Sequence, residues 1–571
     1  MNIILNSEQD EQCKQLYKAL DQNPLVFNWL DHWAKEMPDK TAIIEYNTEK
    51  KVSWKEFSEM SKIIAAKLIS KGVKKGDVIA TSLPFLKEHA YLMQACARIG
   101  AIITPLDLRL KINELDRCFS IISPKAYFTV GKTEIADFRP NIEALIKKYS
   151  KKNGGPCEIF IQFQREPDLI VDNAIGFGDF MQHQEFDLKS LDDFQKQVTK
   201  RDPIVMLFTT GSTGYPKPAL ISSEGILIQS IGFKVAWKGA KSDVMLVNLP
   251  PSHAGGTIIQ HMTMLYLGGI SCLLHMFNPV QSLDAIQKYK VSILGMVPAM
   301  YSIMWQIPNY KEYDVSSLRW ALSVGQTATK EFLSQLKLFS PIFGSGYGIT
   351  EMSGVPVYCK LSNSVDEVYG KIGYKSPLCP LSIRKEMNED GSAGLELSGG
   401  EIGHICFSGS QVFLGYLNDE EKTRRTISTD GFCYTGDLGS YDENGLHLSG
   451  RAKNVIKPKG YQVFPAEIED FIQNKFKEKI MMVGVVGAPH KIFSEGIIAF
   501  VAKNPKTELN VEEIKQILPE IASYKRPLHF EIIEPGEMPL NRTKKVDYVE
   551  LRKRGLKISE TLRSNGKWDV N

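Results

Sequence analysis

One loop of small, hydroxyl-bearing residues ending in a lysine is well equipped to hold phosphate. It comes directly after the apolar run Ile204–Phe208, which is predicted to be a buried strand. The loop consists of Thr209, Thr210, Gly211, Ser212, Thr213, Gly214, Tyr215, Pro216 and Lys217. Glycines let the backbone approach a phosphate, hydroxyl and N–H groups form an anion nest, and lysine adds a positive charge. A flexible surface loop is the alternative, because clusters of glycine, serine and threonine commonly form such loops.

The loop lacks the hydroxyl that binds magnesium in a P-loop. In the pattern G-x-x-x-x-G-K-[ST], a serine or threonine follows the lysine. Here Pro218 follows Lys217. If the loop holds a triphosphate, the metal ligand must therefore come from elsewhere in the chain.

Composition narrows the class of protein. The chain has 571 residues, of which 43% are hydrophobic and 24% are charged, with a formal net charge of +3. These values are typical of a soluble globular protein of roughly two to four domains or subdomains, and they do not favour nucleic acid as the main partner. The nine cysteines show no C-x-x-C or zinc spacing. We therefore expect reduced thiols and a cytoplasmic protein.

Neither a signal peptide nor a membrane span is predicted. Residues 1–8 lack a basic region followed by a long apolar stretch. Ala254–Leu283 contains no acidic residue, lysine or arginine and is long enough to cross a bilayer. However, it contains His261 and is interrupted by Gly268 and Gly269. We expect a buried helix, a glycine turn and a core strand over Ile270–Leu274.

Strand and helix signals alternate along much of the chain, which predicts an α/β fold with largely parallel sheets. The predicted strands are Thr41–Glu45, Val78–Leu83, Ala101–Pro105, Ala126–Phe128, Val244–Leu249, Ile293–Val297 and Trp320–Ser323. The predicted helices are Phe27–Lys35, Val52–Lys71, Glu88–Arg98, Leu108–Ile122, Ala299–Ile307 and one that starts at Ser222. Residues 147–202 are rich in polar residues and are predicted to be a surface excursion, and residues 345–351 are predicted to form a turn.

The last third of the chain changes character. Many turn signals over residues 365–450 predict a small β-rich subdomain, and a domain boundary is predicted near residue 451. The predicted elements beyond it are helices over Pro465–Phe476 and Val511–Leu518 and strands over Met481–Val486 and Ile497–Ala502. We therefore expect an N-terminal domain over residues 1–450 and a small α+β C-terminal domain over residues 451–571, large enough to fold alone.

Six motifs in a fixed order link the sequence to a known family. They are Thr209–Lys217 (T-[ST]-G-[ST]-T-G-x-P-K), Tyr347–Glu351 (Y-G-x-T-E), Tyr434–Leu438 (Y-T-G-D-L), Gly450–Lys453 (G-R-x-[DK]), Lys459–Val463 with Glu467–Glu469 (G-Y-x-[IV]…E-I-E) and Pro539–Asp547 (P-L-T-x-x-G-K-V-D). From about residue 27 to about residue 552, the chain resembles the adenylate-forming superfamily of acyl-CoA synthetases, peptide-synthetase adenylation domains and luciferases.

The resemblance implies a fold and a two-step reaction. The N-terminal AMP-binding domain would contain two α/β subdomains and the β-rich subdomain, and the C-terminal domain would be mobile, with its hinge near Lys453. A carboxylate would attack the α-phosphate of ATP and release pyrophosphate, and a thiol, usually that of CoA, would then take the acyl group and release AMP. ATP, Mg²⁺ and CoA are the implied cofactors.

The resemblance also assigns the catalytic groups. Lys545 matches the catalytic lysine that bridges the α-phosphate and the attacking carboxylate, although by charge alone it would be a solvated lysine of a basic tail. Lys544 stands where the family usually has glycine, and it is the fallback. Glu351 is the candidate magnesium ligand, because a hard carboxylate suits phosphate-bound Mg²⁺. Thr350 would bond a phosphate oxygen, while a helix cap is the alternative for this Thr-Glu pair.

Further positions are assigned to the nucleotide and to the thiol. The nucleotide set begins with the phosphate loop from Thr209 to Gly214 and Lys217. Tyr347 would stack on adenine, with Gly348 beside it. Gly325, Gln326 and Thr327 would form the opposite wall of the adenine pocket. Asp437 would bind the ribose, and Arg451 would reach the ribose or the phosphates. Gly460 would line the pantetheine tunnel, and His253 would lie near the acyl carboxylate and that tunnel, with an ordinary turn glycine and a core histidine as the alternatives.

The resemblance to this family also predicts the acyl pocket and the substrate class. The predicted apolar wall of the pocket, which periodicity alone would assign to the core, is Met296, Val297, Met300, Tyr301 and Ala328. Amino-acid-activating members usually have Phe-Asp where this chain has Ser252-His253, which favours a fatty or other apolar acid without an α-amino group. Open alternatives are a carrier-protein phosphopantetheine as acceptor, release of the adenylate, a β-lactone-forming ligase and a non-catalytic sensor of nucleotide or acyl-AMP. The chain could also form a homodimer.

Overall fold

The computed structural model describes residues 7–164, 166–182, 188–209, 217–325, 328–456, 458, 463–541 and 545–569. The first fifteen strands are β1 Thr41–Glu45, β2 Lys50–Ser53, β3 Val78–Ser82, β4 Ile102–Pro105, β5 Ala126–Val130, β6 Ile159–Phe163, β7 Ile175–Gly176, β8 Pro203–Thr209, β9 Lys217–Ser222, β10 Val244–Val247, β11 Ile270–Leu273, β12 Ile293–Met296, β13 Trp320–Val324, β14 Phe343–Ile349 and β15 Gly354–Tyr358. The others are β16 Tyr374–Lys375, β17 Leu381–Arg384, β18 Gly403–Phe407, β19 Gly415–Tyr416, β20 Cys433–Asp442, β21 Gly445–Arg451, β22 Ile480–His490, β23 Ser494–Lys503 and β24 His529–Ile533.

Helices connect most of these strands. They are α1 Ser7–Ala19, α2 Val26–Glu36, α3 Trp54–Ser70, α4 Lys87–Ile99, α5 Ile112–Ile122, α6 Arg139–Tyr149, α7 Phe177–Met181, α8 Leu188–Lys196, α9 Ser223–Ala236, α10 Thr263–Leu267, α11 Pro279–Tyr289, α12 Pro298–Trp305, α13 Lys330–Phe339, α14 Val365–Val368, α15 Glu420–Arg424, α16 Pro465–Lys475, α17 Val511–Ile517 and α18 Tyr548–Ser564. A π-helix over Gly255–Met262 precedes α10, and 3-10 turns occupy Thr350–Met352 and Ala452–Asn454.

Two large mixed sheets position most of the candidate site. The nine-stranded sheet has the order β16-β15-β14-β13-β12-β10-β11-β1-β2. Within it, the neighbouring strands from β14 through β13, β12, β10 and β11 to β1 are all parallel. The eight-stranded sheet has the order β19-β9-β8-β4-β3-β5-β6-β7, with a parallel core and the antiparallel hairpin β8–β9. Parallel strands need helical crossovers, which agrees with the alternation seen in the sequence.

Two smaller sheets follow. The β-rich region forms a four-stranded sheet in the order β17-β18-β20-β21, as predicted for residues 365–450. Strands β22, β23 and β24 form a three-stranded sheet covered by α16, α17 and α18. Its buried residues form clusters of their own, separate from those of the larger sheets. The predicted mixed α/β architecture is therefore confirmed.

Two predictions about local structure are wrong. Residues 147–202 are not a surface excursion, because β6 lies buried beside β5 and adds a strand to the eight-stranded sheet. The polar residues on either side outweighed the short apolar run Ile159–Phe163 in the sequence pattern. Residues 345–349 end strand β14 instead of forming a turn, and the turn begins only at Thr350. Glycines at positions 344, 346 and 348 weakened the strand signal there.

The apolar stretch over Ala254–Leu283 folds as predicted. The π-helix and α10 are largely buried, Gly268 ends α10 with φ of +76°, and β11 follows as a core strand. Within the described ranges, no helix combines the length and the apolar character that a bilayer crossing requires. All nine cysteines are buried free thiols.

Candidate active site

The predicted phosphate loop lies between the two strands of a hairpin in the eight-stranded sheet. Thr209 ends β8 and pairs directly with Lys217, the first residue of β9. The residues between them, from Thr210 to Pro216, lie outside the described part of the chain. The Lys217 Nζ lies over the Tyr416 ring, 5.1 Å from its centroid. A cation over the face of a tyrosine is attracted by the ring quadrupole, so Tyr416 helps to hold the lysine at the mouth of the loop.

Tyr416 also connects Lys217 to the candidate metal ligand. Its hydroxyl donates a hydrogen bond of 2.8 Å to Glu351 Oε1, and the Glu351 carbonyl accepts from the backbone N–H of Phe413 at 2.9 Å. Burial, followed by the nearby Glu351 charge, raises the pKa of the Tyr416 hydroxyl. This hydroxyl therefore remains a donor at neutral pH, so that Tyr416 contacts Lys217 through its ring and Glu351 through its hydroxyl.

The turn that carries Thr350 and Glu351 is shaped by a close approach of two backbones. A Cβ at Gly348 would lie 2.3 Å from the Gly354 carbonyl oxygen, so only glycine fits at the end of β14. Ser353 takes a left-handed conformation with φ of +49°, and its N–H donates to the Thr350 carbonyl at 3.0 Å. This tight reversal leaves Thr350 and Glu351 partly exposed beside the end of the strand.

A second cluster joins β14 to the four-stranded sheet. Tyr347 donates a hydrogen bond of 2.5 Å to Asp437 Oδ2, and Arg451 Nε lies 2.7 Å from Asp437 Oδ1. Asp437 and Arg451 are direct cross-strand neighbours on β20 and β21. Burial raises the pKa of the Asp437 carboxyl, and the charge of Arg451 and the Tyr347 hydroxyl oppose that rise. The carboxylate is thus buried, paired and fixed in orientation.

Tyr347 packs as a core residue as well as bonding Asp437. Its ring stacks on Phe407 at 6.2 Å with an angle of 20° between the planes, and the side chain is 8% exposed. Burial raises the pKa of its hydroxyl well above the usual value. In this structure the hydroxyl is therefore a fixed donor to Asp437, and the ring is held rigidly by the packing behind it.

Lys545 reaches this cluster from the far end of the chain. Leu540 and Val546 form an antiparallel bridge, and the Asn541 N–H donates to the Lys545 carbonyl at 2.7 Å. The Lys545 ammonium donates a hydrogen bond to the Gly325 carbonyl. Burial and the charge of Arg451 lower the pKa of Lys545, and Asp437 opposes them. Lys545, Arg451 and Asp437 are thus close enough to influence one another's charge.

Gly325 receives Lys545 at the end of β13. It has a positive φ of +79°, a conformation that glycine adopts without strain. A Cβ here would lie 3.4 Å from Val297 Cγ1, which brings Val297 of the predicted acyl pocket next to this position. The candidate residues Gln326, Thr327, Gly460 and Lys544 lie outside the described residues.

A group of cations surrounds the predicted hinge residue. Lys453 lies in the 3-10 turn after β21, and its carbonyl accepts a hydrogen bond from Arg552. Burial, then the charges of Arg451, Arg552 and Lys217, lowers the pKa of Lys453 to about 8. The segment that leads into the C-terminal region therefore lies close to Lys217.

His253 opens the π-helix rather than lying within it. Its carbonyl accepts from the N–H groups of Gly256 and Thr257, at 3.1 Å each. Burial lowers the pKa of its imidazole, and the charge of Asp107 opposes that change. His253 is therefore a neutral imidazole at pH 7, near the Asp107–Arg109 ion pair.

The five predicted acyl-pocket residues occupy two different environments. Met296 and Tyr301 are 0% exposed and belong to the core. The Tyr301 hydroxyl donates to the carbonyls of Leu294 and Leu322, at 3.2 and 2.9 Å. Met300 and Ala328 are only partly buried against this core, and Val297 lies beside Gly325. Val297, Met300 and Ala328 are therefore better placed to contact a ligand than Met296 and Tyr301.

Tyr416 was not among the residues predicted from the sequence. Its only local signal was its place at the end of the short strand β19, Gly415–Tyr416. The contact with Glu351 spans 65 positions of the chain, so it depends on how β19 pairs with β9.

Lys217 after the predicted phosphate loop, the buried Asp437 paired with the half-exposed Arg451, and the distant Lys545 therefore lie in one region of the structure. Residues 30–417, well over half of the chain, match the family described as AMP-binding enzyme, and the chain belongs to that family. It is 29% identical over 500 residues to 4-coumarate–CoA ligase 4 of Arabidopsis thaliana, covering 85% of this chain and 83% of the relative. It is 27% identical over 553 residues to the mitochondrial medium-chain acyl-CoA ligase ACSF2 of Danio rerio, covering 93% and 88%. An ATP-bound RpMatB-BxBclM chimera superposes with a TM-score of 0.75 at 25% identity, covering 93% of this chain and 98% of the chimera.

Proposed function

We propose that the protein is an ATP-dependent ligase that joins a carboxylic acid to CoA. In the first step, a carboxylate oxygen attacks the α-phosphorus of ATP, and the bond to pyrophosphate breaks. In the second, the CoA sulfur attacks the acyl carbon, the bond to AMP breaks and the thiol proton is released. The contact of Lys545 with Gly325, next to the Asp437–Arg451 pair, is the observation that carries this proposal. The CoA ligases among its relatives support CoA as the acceptor.

The residue roles follow from charge and position. Lys217 and the loop before it bind the β- and γ-phosphates, and Asp437 accepts from the ribose hydroxyls while Arg451 and Tyr347 hold its carboxylate. Tyr347 and Gly325 border the adenine. Lys545 neutralises the charge that develops as the carboxylate meets the α-phosphate, and such fixed charges are usually a large part of catalysis. A C-terminal domain that starts near residue 451 and turns about Lys453 brings Lys545 into place for the first step only.

The contacts of the Glu351 carboxylate fit the role of a magnesium ligand. The described residues contain no group of three side chains that could hold a metal, whereas magnesium commonly uses one or two carboxylates together with substrate phosphates. The Tyr416 hydroxyl occupies Glu351 Oε1 and orients the carboxylate. The ion neutralises phosphate charge when it is bound, and Thr350 adds a hydroxyl to the same phosphates.

A fatty or other apolar acid is the proposed substrate. Partly buried apolar side chains at Val297, Met300 and Ala328 adjoin the Gly325 end of β13, and the neutral His253 stands at the start of the π-helix. The side chains of Val297, Met300 and Ala328 carry no charge, which favours an apolar acyl chain against them.

A screen of carboxylic acids with ATP and Mg²⁺ tests the proposal. Pyrophosphate release should depend on the acid, and AMP release should rise severalfold when CoA is added. Substituting a carrier protein with phosphopantetheine for CoA identifies the acceptor. The absence of pyrophosphate from every acid of an aliphatic, aryl and hydroxy-acid panel would contradict the proposal and favour a protein that only binds nucleotide.

A further inference from the structure

The N-terminal helix α1 lies along α9 and contains none of the residues assigned to the substrates. Near the start of α1, the Gln9 amide donates a hydrogen bond of 3.4 Å to the carbonyl of Val235, close to the end of α9. Near the end of α1, the Tyr17 hydroxyl donates a bond of 2.8 Å to Glu224 Oε1, in the first turn of α9. The two helices are therefore antiparallel and in contact over most of their length.

Glu224 is a buried carboxylate that two cations contact as well as Tyr17. Its side chain is 4% exposed, and Lys200 Nζ lies 3.0 Å from Oε1 while Arg201 Nη1 lies 3.8 Å from Oε2. The Glu224 N–H donates to the Lys200 carbonyl at 3.0 Å. A buried carboxylate needs such partners, so the start of α9 joins α1 to the residues just before β8.

The same cluster holds the loop that leads towards Tyr416. Arg201 Nη1 donates a hydrogen bond of 2.8 Å to the carbonyl of Ser410. Burial, followed by the hydrogen bond to Glu224, raises the pKa of the Tyr17 hydroxyl, and the side chain of Ser410 opposes that rise. Ser410 is therefore held from two sides, by α1 and by the segment before β8.

The residue after Ser410 holds the turn that carries Glu351. Gln411 is fully buried, and its Nε2 donates to the carbonyls of Met352 and Val355, at 3.0 and 3.2 Å. Met352 ends the 3-10 turn and Val355 lies in β15, so one amide ties the two sides of the reversal together. A displacement of Ser410 would therefore reach the turn through two hydrogen bonds.

We propose that Tyr17 is a positioning residue, through which the N-terminal helix keeps the Glu351 turn in the orientation that binds Mg-ATP. The path runs from Tyr17 to Ser410, and from the adjacent Gln411 to the turn. Chains of packed and hydrogen-bonded groups of this kind can carry energetic coupling between distant sites. This inference rests on the proposed ligase function, in which Glu351 binds the magnesium that accompanies ATP.

Tyr17→Phe in the full-length protein tests this inference. The change removes the hydroxyl and keeps the ring, over which Lys200 Nζ lies at 5.9 Å, and Glu224 keeps its contact with Lys200. The Kd of Mg-ATP, measured by titration calorimetry without an acid, should rise by about threefold to tenfold, as expected for coupling through such contacts. The turnover rate at saturating Mg-ATP should stay within about twofold of the wild type, because the reacting groups are unchanged.

Hydrogen exchange gives a second measurement that does not depend on ATP. The Ser353 N–H, which donates to the Thr350 carbonyl at 3.0 Å, should exchange about threefold faster or more in Tyr17→Phe, since a loosened turn opens more often. Tyr46→Phe is the matched control, because the Tyr46 hydroxyl also donates a bond of 2.8 Å to a carboxylate, that of Asp284. The control should lose a similar amount of Tm and leave the Kd and the exchange rate unchanged.

A double variant tests the path itself. Gln411→Met keeps the approximate volume of the side chain and removes the donor to the turn, so it should weaken Mg-ATP binding at least as much as Tyr17→Phe. Combined with Gln411→Met, Tyr17→Phe should add little, because changes along one path of contacts are not additive. Fully additive effects would show that Tyr17 does not act through Gln411.

Each outcome decides a different point. An unchanged Kd and exchange rate in Tyr17→Phe would overturn the proposal, as would an equal change in Tyr46→Phe. A fall in Tm alone would make Tyr17 a structural residue. Faster exchange with an unchanged Kd would contradict a role in binding Mg-ATP. If the wild type binds no ATP, the ligase function itself is contradicted, whereas the exchange rate still decides whether Tyr17 positions the turn.

Discussion

Lys217 and Lys545 are both proposed to meet the phosphates of ATP, yet the structure holds them in different ways. Lys217 begins a strand of the eight-stranded sheet, pairs with Thr209 and lies over Tyr416. Lys545 touches the carbonyl of Gly325, which is 220 positions away in the sequence, and its own segment packs with the three-stranded sheet. The first lysine is part of a large core, whereas a separate set of elements delivers the second.

This difference has a consequence for the two half-reactions. A group built into the core is present in every state of the protein, whereas a group carried by another unit is present only when that unit is docked. We therefore expect Lys217 to affect nucleotide binding throughout and Lys545 to affect the first step alone.

The largest expected effect comes from Lys545→Ala. Pyrophosphate release with a good acid substrate should fall by about 10²-fold or more, as when other groups that stabilise transition-state charge are removed. Thioester formation from supplied acyl-AMP and CoA should stay within about threefold of the wild type, since in the proposed cycle the turn about Lys453 carries Lys545 away from the site before that step. Both rates are measured in single-turnover experiments.

Lys553→Ala is the matched control, because Lys553 is an exposed lysine of α18 and should leave both steps unchanged. If Lys545→Ala slows both half-reactions equally, the contrast with Lys217 is wrong and Lys545 is also part of a permanent site.

The next largest effect is expected on the stability of the three-stranded-sheet region, which carries Lys545. The Tyr548 hydroxyl lies 2.7 and 2.8 Å from the two oxygens of Glu469, and the Val485 N–H donates to Glu469 Oε1 at 2.7 Å. Burial raises the pKa of Glu469 from 4.5 to about 7. The folded protein therefore binds this proton more tightly than the unfolded chain, and the stabilisation is complete below pH 4.5 and is lost as pH rises through 7.

Glu469→Gln should remove this pH dependence, because the amide stays neutral. Relative to the variant, the wild type should lose about 3 kcal/mol of unfolding free energy between pH 4.5 and pH 8, at 1.36 kcal/mol per pKa unit. Denaturant unfolding of both proteins at several pH values measures it. A constant difference between the two proteins across this range would show that Glu469 is already ionised when the protein is folded.

Tyr416→Phe tests the part of the site around Lys217, and its expected effect on activity is smaller. The ring under Lys217 remains, and the hydrogen bond to Glu351 is lost. Bonds to charged groups contribute about 1.5 kcal/mol or more, so the KM for Mg-ATP should rise about 10-fold. Raising the magnesium concentration should recover part of the loss. An unchanged KM would mean that Glu351 needs no help from Tyr416 to hold its orientation.

Phe413→Leu is a matched change at the neighbouring aromatic ring, which stacks edge-on against Tyr416 at 4.9 Å. It alters the packing while the hydroxyl and Glu351 remain, so its KM for Mg-ATP should stay close to that of the wild type. A similar rise in both variants would attribute the effect to packing.

The same contrast explains what could be predicted from the sequence. Strands such as Thr41–Glu45 were predicted with the correct bounds because a short apolar run between turn signals is a local property. The run Ile159–Phe163 was missed because its burial depends on pairing with β5. Local patterns therefore identified most elements, and sheet membership was lost where polar neighbours obscured them.

The site residues show the same difference between local sequence signals and tertiary contacts. Asp437 and Arg451 were predicted as site residues from their motifs, but their cross-strand pairing depends on the register of β20 and β21. Tyr416 carried no motif, since its contact is with Glu351, 65 positions away. Residue type can suggest a role, whereas the orientation of a carboxylate is decided by tertiary contacts.

The smallest effect should come from an ion pair that joins the two regions. Lys477 Nζ lies 2.7 Å from Glu331 Oε1, and Glu331 is on α13, shortly after Gly325. Both side chains are more than half exposed, and exposed ion pairs contribute little. Lys477→Glu should lower the rate of pyrophosphate release less than about fivefold, and the double exchange Lys477→Glu with Glu331→Lys should restore it.

Salt provides the control for this pair. Exposed charges are screened within about 10 Å at ~0.1 M salt and within about 3 Å at ~1 M, so the deficit of Lys477→Glu should disappear at high ionic strength. The deficit of Lys545→Ala should persist there, because the proposed role of this lysine depends on direct contact with the α-phosphate and the carboxylate, and charges in contact are screened less than separated ones. If the double exchange fails to restore the rate at low salt, the Lys477–Glu331 contact has no part in docking the region that carries Lys545, and the contact with Gly325 must be maintained by other residues.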